Sequence, residues 1–383
     1  MNIIKEGKID IWSWCVELEA DCINQALNVA NYLPVFKHVC LMPDAHLGYG
    51  LPIGGVVALR GAISPNMVGV DIGCGMGAVK TGLKKISTEQ IKRIMKDIRS
   101  GIPLGFYKHK KDKSPPTSIL PEYDEKMEVV YSQRKVLSSQ VGTLGGGNHF
   151  IEIQKGSDGH IWFMVHSGSR NLGFKVAKHY NLIAEELDFG KIPQNISLSY
   201  LPVDTDVARK YVAEMEYCLK FAALNRSVMK DRIMEFFADA TGCDFLEDVD
   251  IHHNYASFET HFGEDVVVHR KGATSARSGE IGIIPGSQGT PSYIVSGKGN
   301  PDSFMSCSHG AGRRLGRRKA VKTLNLKEEI DNLDKKGIIH SIRSKNNLDE
   351  APSAYKDIDV VMDEQKDLVD IVTRLMPIAV IKE

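Results

Sequence analysis

The run Val70-Asp71-Ile72-Gly73-Cys74-Gly75-Met76-Gly77 places a carboxylate and a thiol inside one glycine-rich turn. Glycine admits positive φ and close backbone approach, so such a turn can wrap a small ion or a phosphate. Asp supplies a hard oxygen, and Cys as thiolate can bridge two ions. Taken alone, the same residues read equally well as a buried structural Cys beside a capping Asp. The decision rests on what the rest of the chain brings to this turn.

Working outward, glycine is over-used: 35 of 383 residues, about 9% against an average near 7%. The glycines cluster in 48–55, 142–147, 168–173, 279–289 and 310–316, each cluster containing or bordering a candidate ligand. His149 follows Gly145-Gly146-Gly147-Asn148; His166 closes an apolar run before Ser167-Gly168-Ser169-Arg170; His253 lies in Ile251-His252-His253-Asn254. All three fall at strand-to-loop junctions, where a rigid element can aim an imidazole at a shared point. Any one of them is more often a hydrogen-bonded core histidine. Together with Asp71 and Cys74 they favour a multi-ligand metal centre, and ligand softness alone argues for zinc. Because the ligand-bearing loops run from residue 44 to residue 312, they form one site only if residues 1–383 close into a single domain.

Between these loops, β-branched and aromatic content predicts strands over 56–60, 161–166, 266–270 and 293–295. Ile91, Ile94, Met95 and Ile98 recur at helical spacing behind a Ser87/Gln90 capping box, predicting a helix over 87–100. A second helix carries Val176, Tyr180, Ile183, Ala184 and Leu187, and a third runs over 206–237 with Tyr211, Met215, Cys218 and Ala222 on one face. The fold class is therefore α/β of the α+β type, β-sheets with flanking helices around a metal cleft. The stretches 108–121 and 190–202 are too short for interdomain linkers.

Composition narrows the function. Lys+Arg and Asp+Glu balance at 48 each, and no apolar run approaches the ~20 residues of a membrane span. Seven cysteines without a C-x-x-C pair do not form a disulfide framework. With no apolar stretch and small-residue cleavage site in residues 1–14, the expectation is a cytosolic, cytoplasmic protein. There is no G-x-x-x-x-G-K-[ST] and no K-x-D-G lysine, so a covalently carried nucleotide needs another residue. His309, in Ser306-Cys307-Ser308-His309-Gly310-Ala311-Gly312-Arg313-Arg314, is the available nucleophile toward phosphorus. Arg313, Arg314, Arg317, Arg318, Lys319 and Lys322 form one basic block and Lys108, Lys110, Lys111 and Lys113 another, whereas residues 181–250 hold 14 acids against 7 bases. A phosphate-bearing polymer could bind one face of this neutral chain, or the lysines could be a solvated face.

In this order, Pro43-Asp44-Ala45-His46-Leu47-Gly48, the turn at Asp71 and Cys74, Gly142-Thr143-Leu144-Gly145-Gly146-Gly147-Asn148-His149-Phe150, His166-Ser167-Gly168-Ser169-Arg170, Arg270-Lys271-Gly272-Ala273-Thr274, Pro285-Gly286-Ser287 and His309-Gly310-Ala311-Gly312-Arg313 resemble the RtcB family of RNA ligases. In length the chain resembles the shorter branch found beside release factor H homologues. The resemblance implies a GTP-dependent enzyme joining RNA 3′-phosphate or 2′,3′-cyclic phosphate ends to 5′-hydroxyl ends, in RNA repair or tRNA splicing. It implies two manganese ions rather than zinc, held by Asp71, Cys74, His149, His166 and His253 with Cys74 bridging. His309 would carry GMP, and an archease-like protein is the implied activator. A guanylate pocket is implied at Asn148, His149, Phe150, Ile151, Glu152, His253, Asn254, Pro285, Gly286, Ser287, Gln288, Ser292, His309, Gly310, Ala311, Gly312, Tyr355 and Lys382. RNA contacts are expected from Arg170, Arg313, Arg314 and Arg317. Gly73, Met76, Gly146 and Asn171 depart from the usual family residues without touching a ligand. A cyclic phosphodiesterase without ligation, and an RNA-binding protein with a structural metal, are the competing readings.

Overall fold

The computed structural model describes residues 1–193 and 195–383. Two mixed-length β-sheets form its frame. The first has six strands in the order Asn2–Ile4, Asp10–Ser13, Val35–Tyr49, Leu51–Leu59, Glu264–Lys271 and Asn254–His261. The second has seven, in the order Phe245–His252, Gly75–Thr81, Ile161–Ser167, Phe150–Gly156, Val369–Ile381, Ser292–Gly297 and Ile281–Ile284. Pairing is antiparallel throughout except between Asp10–Ser13 and Val35–Tyr49. Helices flank the sheets, giving the mixed α/β architecture expected from the sequence.

The strands expected at 161–166, 266–270 and 293–295 lie within longer observed strands, and that expected at 56–60 falls in Leu51–Leu59, which starts five residues earlier and stops one residue short, at Leu59. The helix Thr88–Gly101 begins at the expected cap, with Gln90 N–H donating to Ser87 Oγ and Ser87 N–H to the Gln90 side chain. Asp206–Thr241 continues about a turn past its expected end and stops at Gly242, whose left-handed backbone (φ 69°) costs a glycine little. Among the described residues no helix is long and apolar enough to cross a membrane.

The edge strand Phe245–His252 escaped the sequence reading because Glu247, Asp248 and Asp250 lower its β-propensity. Partners remote in sequence compensate: Lys80 pairs with Glu247, Lys230 with Asp248, and Arg226 with Asp250. The next strand, Asn254–His261, belongs to the other sheet, so His253 alone spans the crossing between them. Antiparallel register also sets Gly75 opposite both Ser167 and His252, and Phe150 opposite His166. One end of the seven-stranded sheet thus collects the start of two strands and the end of two others. The candidate ligands sit at those four ends.

Candidate metal centre and adjoining cavity

Two ligand triplets, Asp71–Cys74–His149 and Cys74–His166–His253, each gather their donor atoms within 4.8 Å of one another, and they share Cys74. Cys74 Sγ lies 3.4 Å from His149 Nε2 and 3.2 Å from His166 Nε2, while His149 Nε2 is 3.1 Å from Asp71 Oδ2. The outer nitrogens settle the tautomers. His149 Nδ1 donates to Leu144 O at 2.9 Å and His166 Nδ1 to Asn148 O at 3.0 Å, so both Nε2 lone pairs point into the cluster. His166 and His253 Nε2 face each other at 3.4 Å, and His253 Nδ1 is buried without a hydrogen-bond partner. Burial, then the neighbouring imidazoles, hold the pKa values of His166 and His253 well below the ordinary histidine value, which keeps both rings neutral. Burial and Asp71 push the Cys74 thiol well up, so a thiolate there calls for a cation beside it. These converging sulfur, nitrogen and oxygen donors form a set that could hold a metal.

The loops are braced from the long helix. Arg226, fully buried, donates from one terminal nitrogen to Gly73 O and Ser167 O, each at 3.0 Å, while its remaining nitrogens pair with Asp250. Asn225 Nδ2 reaches Thr143 O, Ser167 Oγ and Gly168 O, each at 3.1 Å, and its Oδ1 accepts from Thr143 N–H. Gly168 must be glycine, since a Cβ there would run into the Asp71 carboxylate. Asn254 ties the Asp71 carbonyl to the Gly272 N–H.

His309 follows the short strand Ser306–Ser308, and its ring centroid is 4.9 Å from that of His253. Its Nδ1 donates to Asp44 Oδ2 at 2.6 Å, and the N–H groups of His309 and Gly310 reach the same oxygen at 3.2 and 3.3 Å. Burial pushes the Asp44 carboxyl up, but His309, His46 and Lys356 outweigh it and hold the group below its ordinary range. With Nδ1 donating to Asp44, Nε2 is the ring nitrogen left without a protein partner among the described residues. Lys356 Nζ grips Pro43 O and Ala45 O, fixing the segment that presents Asp44. At Gly312 (φ 72°) any Cβ would strike the Asp44 backbone.

His309 lines a cavity of about 200 Å³ with Asn148, Phe150, Glu152, His166, residues 285–288 and 310–313, Glu350, Tyr355 and Lys382. Most residues expected at a nucleotide pocket are therefore together. His149 and His253 belong to the ligand cluster and Asn254 to its bracing rather than to the cavity lining, and alternation along Phe150–Gly156 turns Ile151 into the core with Ile153 and Phe163. Ser292 acts from behind, its Oγ accepting from Gly286 N–H at 3.1 Å. Burial raises the Glu152 carboxyl to about 8, against the opposing effects of Gln154 and Lys382.

Sequence reasoning missed Glu350, a buried carboxylate that receives Lys382 Nζ at 2.8 Å, Tyr355 Oη, Arg313 and Arg317. It also missed Asp44 as the partner of His309, although the motif containing it was in view, and Asn225 and Arg226, which looked like scaffold. The arginine block is not an acid-free basic face. Arg313 and Arg317 pair with Glu350, and Arg317 also with Asp349. Arg170 is committed to Thr143 Oγ1 and Gly105 O, leaving Arg314 exposed with one long contact to Ser353 O.

Fold and site together define an α/β protein in which an Asp/Cys/His cluster that could hold a metal lies beside a cavity lined by a histidine hydrogen-bonded to a buried aspartate. The chain belongs to the RtcB family: the family profile described as tRNA-splicing ligase RtcB matches residues 25–134 and 120–383. It is 37% identical to the RNA-splicing ligase RtcB of Escherichia coli (strain K12) over 404 residues, covering 99% of this chain and 98% of that protein. The tRNA-splicing ligases RtcB of Aeropyrum pernix and Methanococcus maripaludis are 32% and 33% identical, over 94% and 90% of this chain and 90% and 88% of theirs.

Proposed function

We propose that the protein is a GTP-dependent RNA ligase, acting as one catalytic unit over residues 1–383, that joins 3′-phosphate or 2′,3′-cyclic phosphate ends to 5′-hydroxyl ends. The relatives' names as RNA-splicing and tRNA-splicing ligases support the reaction class. The observation that carries the mechanism is His309, whose Nδ1 is locked on Asp44 and whose Nε2 is left free at the cavity beside the two triplets.

Asp71, Cys74, His149, His166 and His253 would hold two manganese ions, Cys74 being the residue common to the two triplets. Such ions, when bound, neutralise phosphate charge and orient phosphorus for in-line displacement. His309 Nε2 attacks the α-phosphorus of GTP, forming a P–N bond as the bond to pyrophosphate breaks. Asp44 keeps the Nδ1 proton in place and offsets the positive charge that develops on the ring. Glu152, Lys382 and Tyr355 shape the guanylate pocket, with Glu350 holding the last two. A cyclic end is first opened by water. The RNA 3′-phosphate then takes GMP from His309, and the 5′-hydroxyl attacks that activated phosphate and displaces GMP, sealing the strand.

Incubation with Mn²⁺ and α-labelled GTP should leave acid-labile, base-stable label on the wild type and none on His309→Ala, which should still bind metal. Label surviving in His309→Ala would place the carrier elsewhere. Cyclic-phosphate opening by a wild type that never takes label would make the protein a phosphodiesterase.

A further inference from the structure

We propose that Phe106, Tyr107 and the lysines following them form a platform for single-stranded RNA at the rim of the site, an inference that rests on the reading of the substrate as RNA. The segment is laid against the loop that aims His149. Leu144 N–H donates to Pro103 O, Gly105 N–H to Gly145 O and His109 N–H to Ser139 O, each at 2.9 Å. Leu144 O in turn accepts from His149 Nδ1, so one residue separates this segment from a candidate metal ligand. Gly105 also packs on Glu383, the neighbour of cavity residue Lys382.

Although the backbone is held on both sides of them, Phe106 and Tyr107 are 97% and 79% exposed, more than any other large apolar side chain among the described residues. Two adjacent aromatic rings kept in water on an anchored segment offer faces on which bases can stack. Lys108, Lys110, Lys111 and Lys113 follow, all exposed, and none forms an ion pair among the described residues. Lys108, Lys110 and Lys113 border a groove of about 620 Å³ whose other walls carry Arg99 and Arg232 and also Asp231 and Glu235, the latter paired with Arg232, so that positive charge still predominates. Arg99 also feels the like charge of Arg343. A polyanion relieves this convergence of positive charge, and the contrast with Arg313 and Arg317, already neutralised by Glu350, marks this as the basic surface still free to bind phosphates. Stacking on the rings requires splayed bases, which a duplex hides, so the occupant is a single strand running toward the site.

The test is fluorescence anisotropy of a short 3′-phosphorylated single-stranded oligoribonucleotide across a salt series, with a blunt RNA duplex as comparison. Phe106→Ala/Tyr107→Ala should weaken single-strand binding about tenfold or more and leave the salt slope unchanged. Replacing the four lysines by Gln should lower the slope by about 0.7 for each phosphate that is no longer neutralised. Phe106→Tyr/Tyr107→Phe should bind like the wild type, and melting temperatures should not move, since both rings are solvent-exposed. Unchanged affinity in the alanine double variant, or an equal loss for the duplex, overturns the platform. Labelling by GTP, read on the same preparations, keeps the two ideas apart. A wild type that labels, paired with an alanine variant that binds RNA normally, sinks the platform alone; a wild type that binds through the platform but takes no label sinks the guanylylation mechanism alone.

Discussion

Asp44 Oδ2 receives the His309 ring N–H and two backbone N–H groups, so one oxygen sets both the tautomer and the position of the His309 ring. Asp44→Asn can turn an amide N–H toward Nδ1 and drive the ring proton onto Nε2. The labelling rate with GTP should then fall about a hundred- to ten-thousandfold while metal content holds. A variant that labels at the wild-type rate would show that the pair only packs. Glu152 makes a different prediction. Its carboxyl, raised to about 8, keeps its proton at pH 7 in the free protein, whereas guanine's N1–H and amino group need an ionised acceptor. Guanine nucleotide binding should therefore release close to one proton at pH 7 and progressively less above pH 8, measured by calorimetry in buffers of different ionisation enthalpy. Undiminished release in Glu152→Gln would move the effect to another group. The same raised value works against the free protein's stability as pH rises from the ordinary carboxyl range through 8, because only the folded state hinders the ionisation.

At the scale of elements, the helix Asp206–Thr241 does more than cover a sheet. Its apolar face joins a core with Tyr180 and Val130, while Asn225 and Arg226 fasten the loops at Gly73, Thr143 and Ser167. Arg226→Ala would remove the donor shared by Gly73 O and Ser167 O and the guanidinium partner of Asp250, which would be left with Lys230 alone. A loss of about 3 kcal/mol in urea unfolding is expected, together with weaker metal binding. Arg226→Lys should recover only part, since an ammonium cannot reproduce the planar fork. Lost stability with unchanged metal affinity would restrict Arg226 to holding the edge strand. Helical periodicity located this helix and its apolar face but assigned no role to Asn225 or Arg226, because the loops they meet lie 57 to 153 residues away.

Over the whole molecule, the candidate ligands come from four segments, and His253 stands where the chain passes from one sheet to the other. Ions bound there would tie the two sheets together and stabilise the folded state through mass action. Mn²⁺ at about a hundred times its dissociation constant should add about 2.7 kcal/mol per independent site, seen as a melting temperature raised by several degrees and reversed by chelator. Cys74→Ala, losing the donor common to both triplets, should abolish most of that rise. A full rise in this variant would show that the ions bind without the thiolate. What the sequence alone determined was the list of candidate residues: Asp71, Cys74, His149, His166, His253 and His309 stand out because each sits in a local glycine-rich or strand-end context that short-range rules can read, and the first five do converge in the fold. The capped helix Thr88–Gly101 was legible for the same reason, its signals lying within a few residues of one another. Only the tertiary structure decided the partners. Asp44 meets His309 across 265 positions, Glu350 draws in the arginines that looked like a free basic face, and Ile151 turns away from the cavity beside its neighbours Phe150 and Glu152. Ion pairs and hydrogen bonds of this kind depend on which segments the fold brings within about 3 Å, and spacing along the chain carries no record of that.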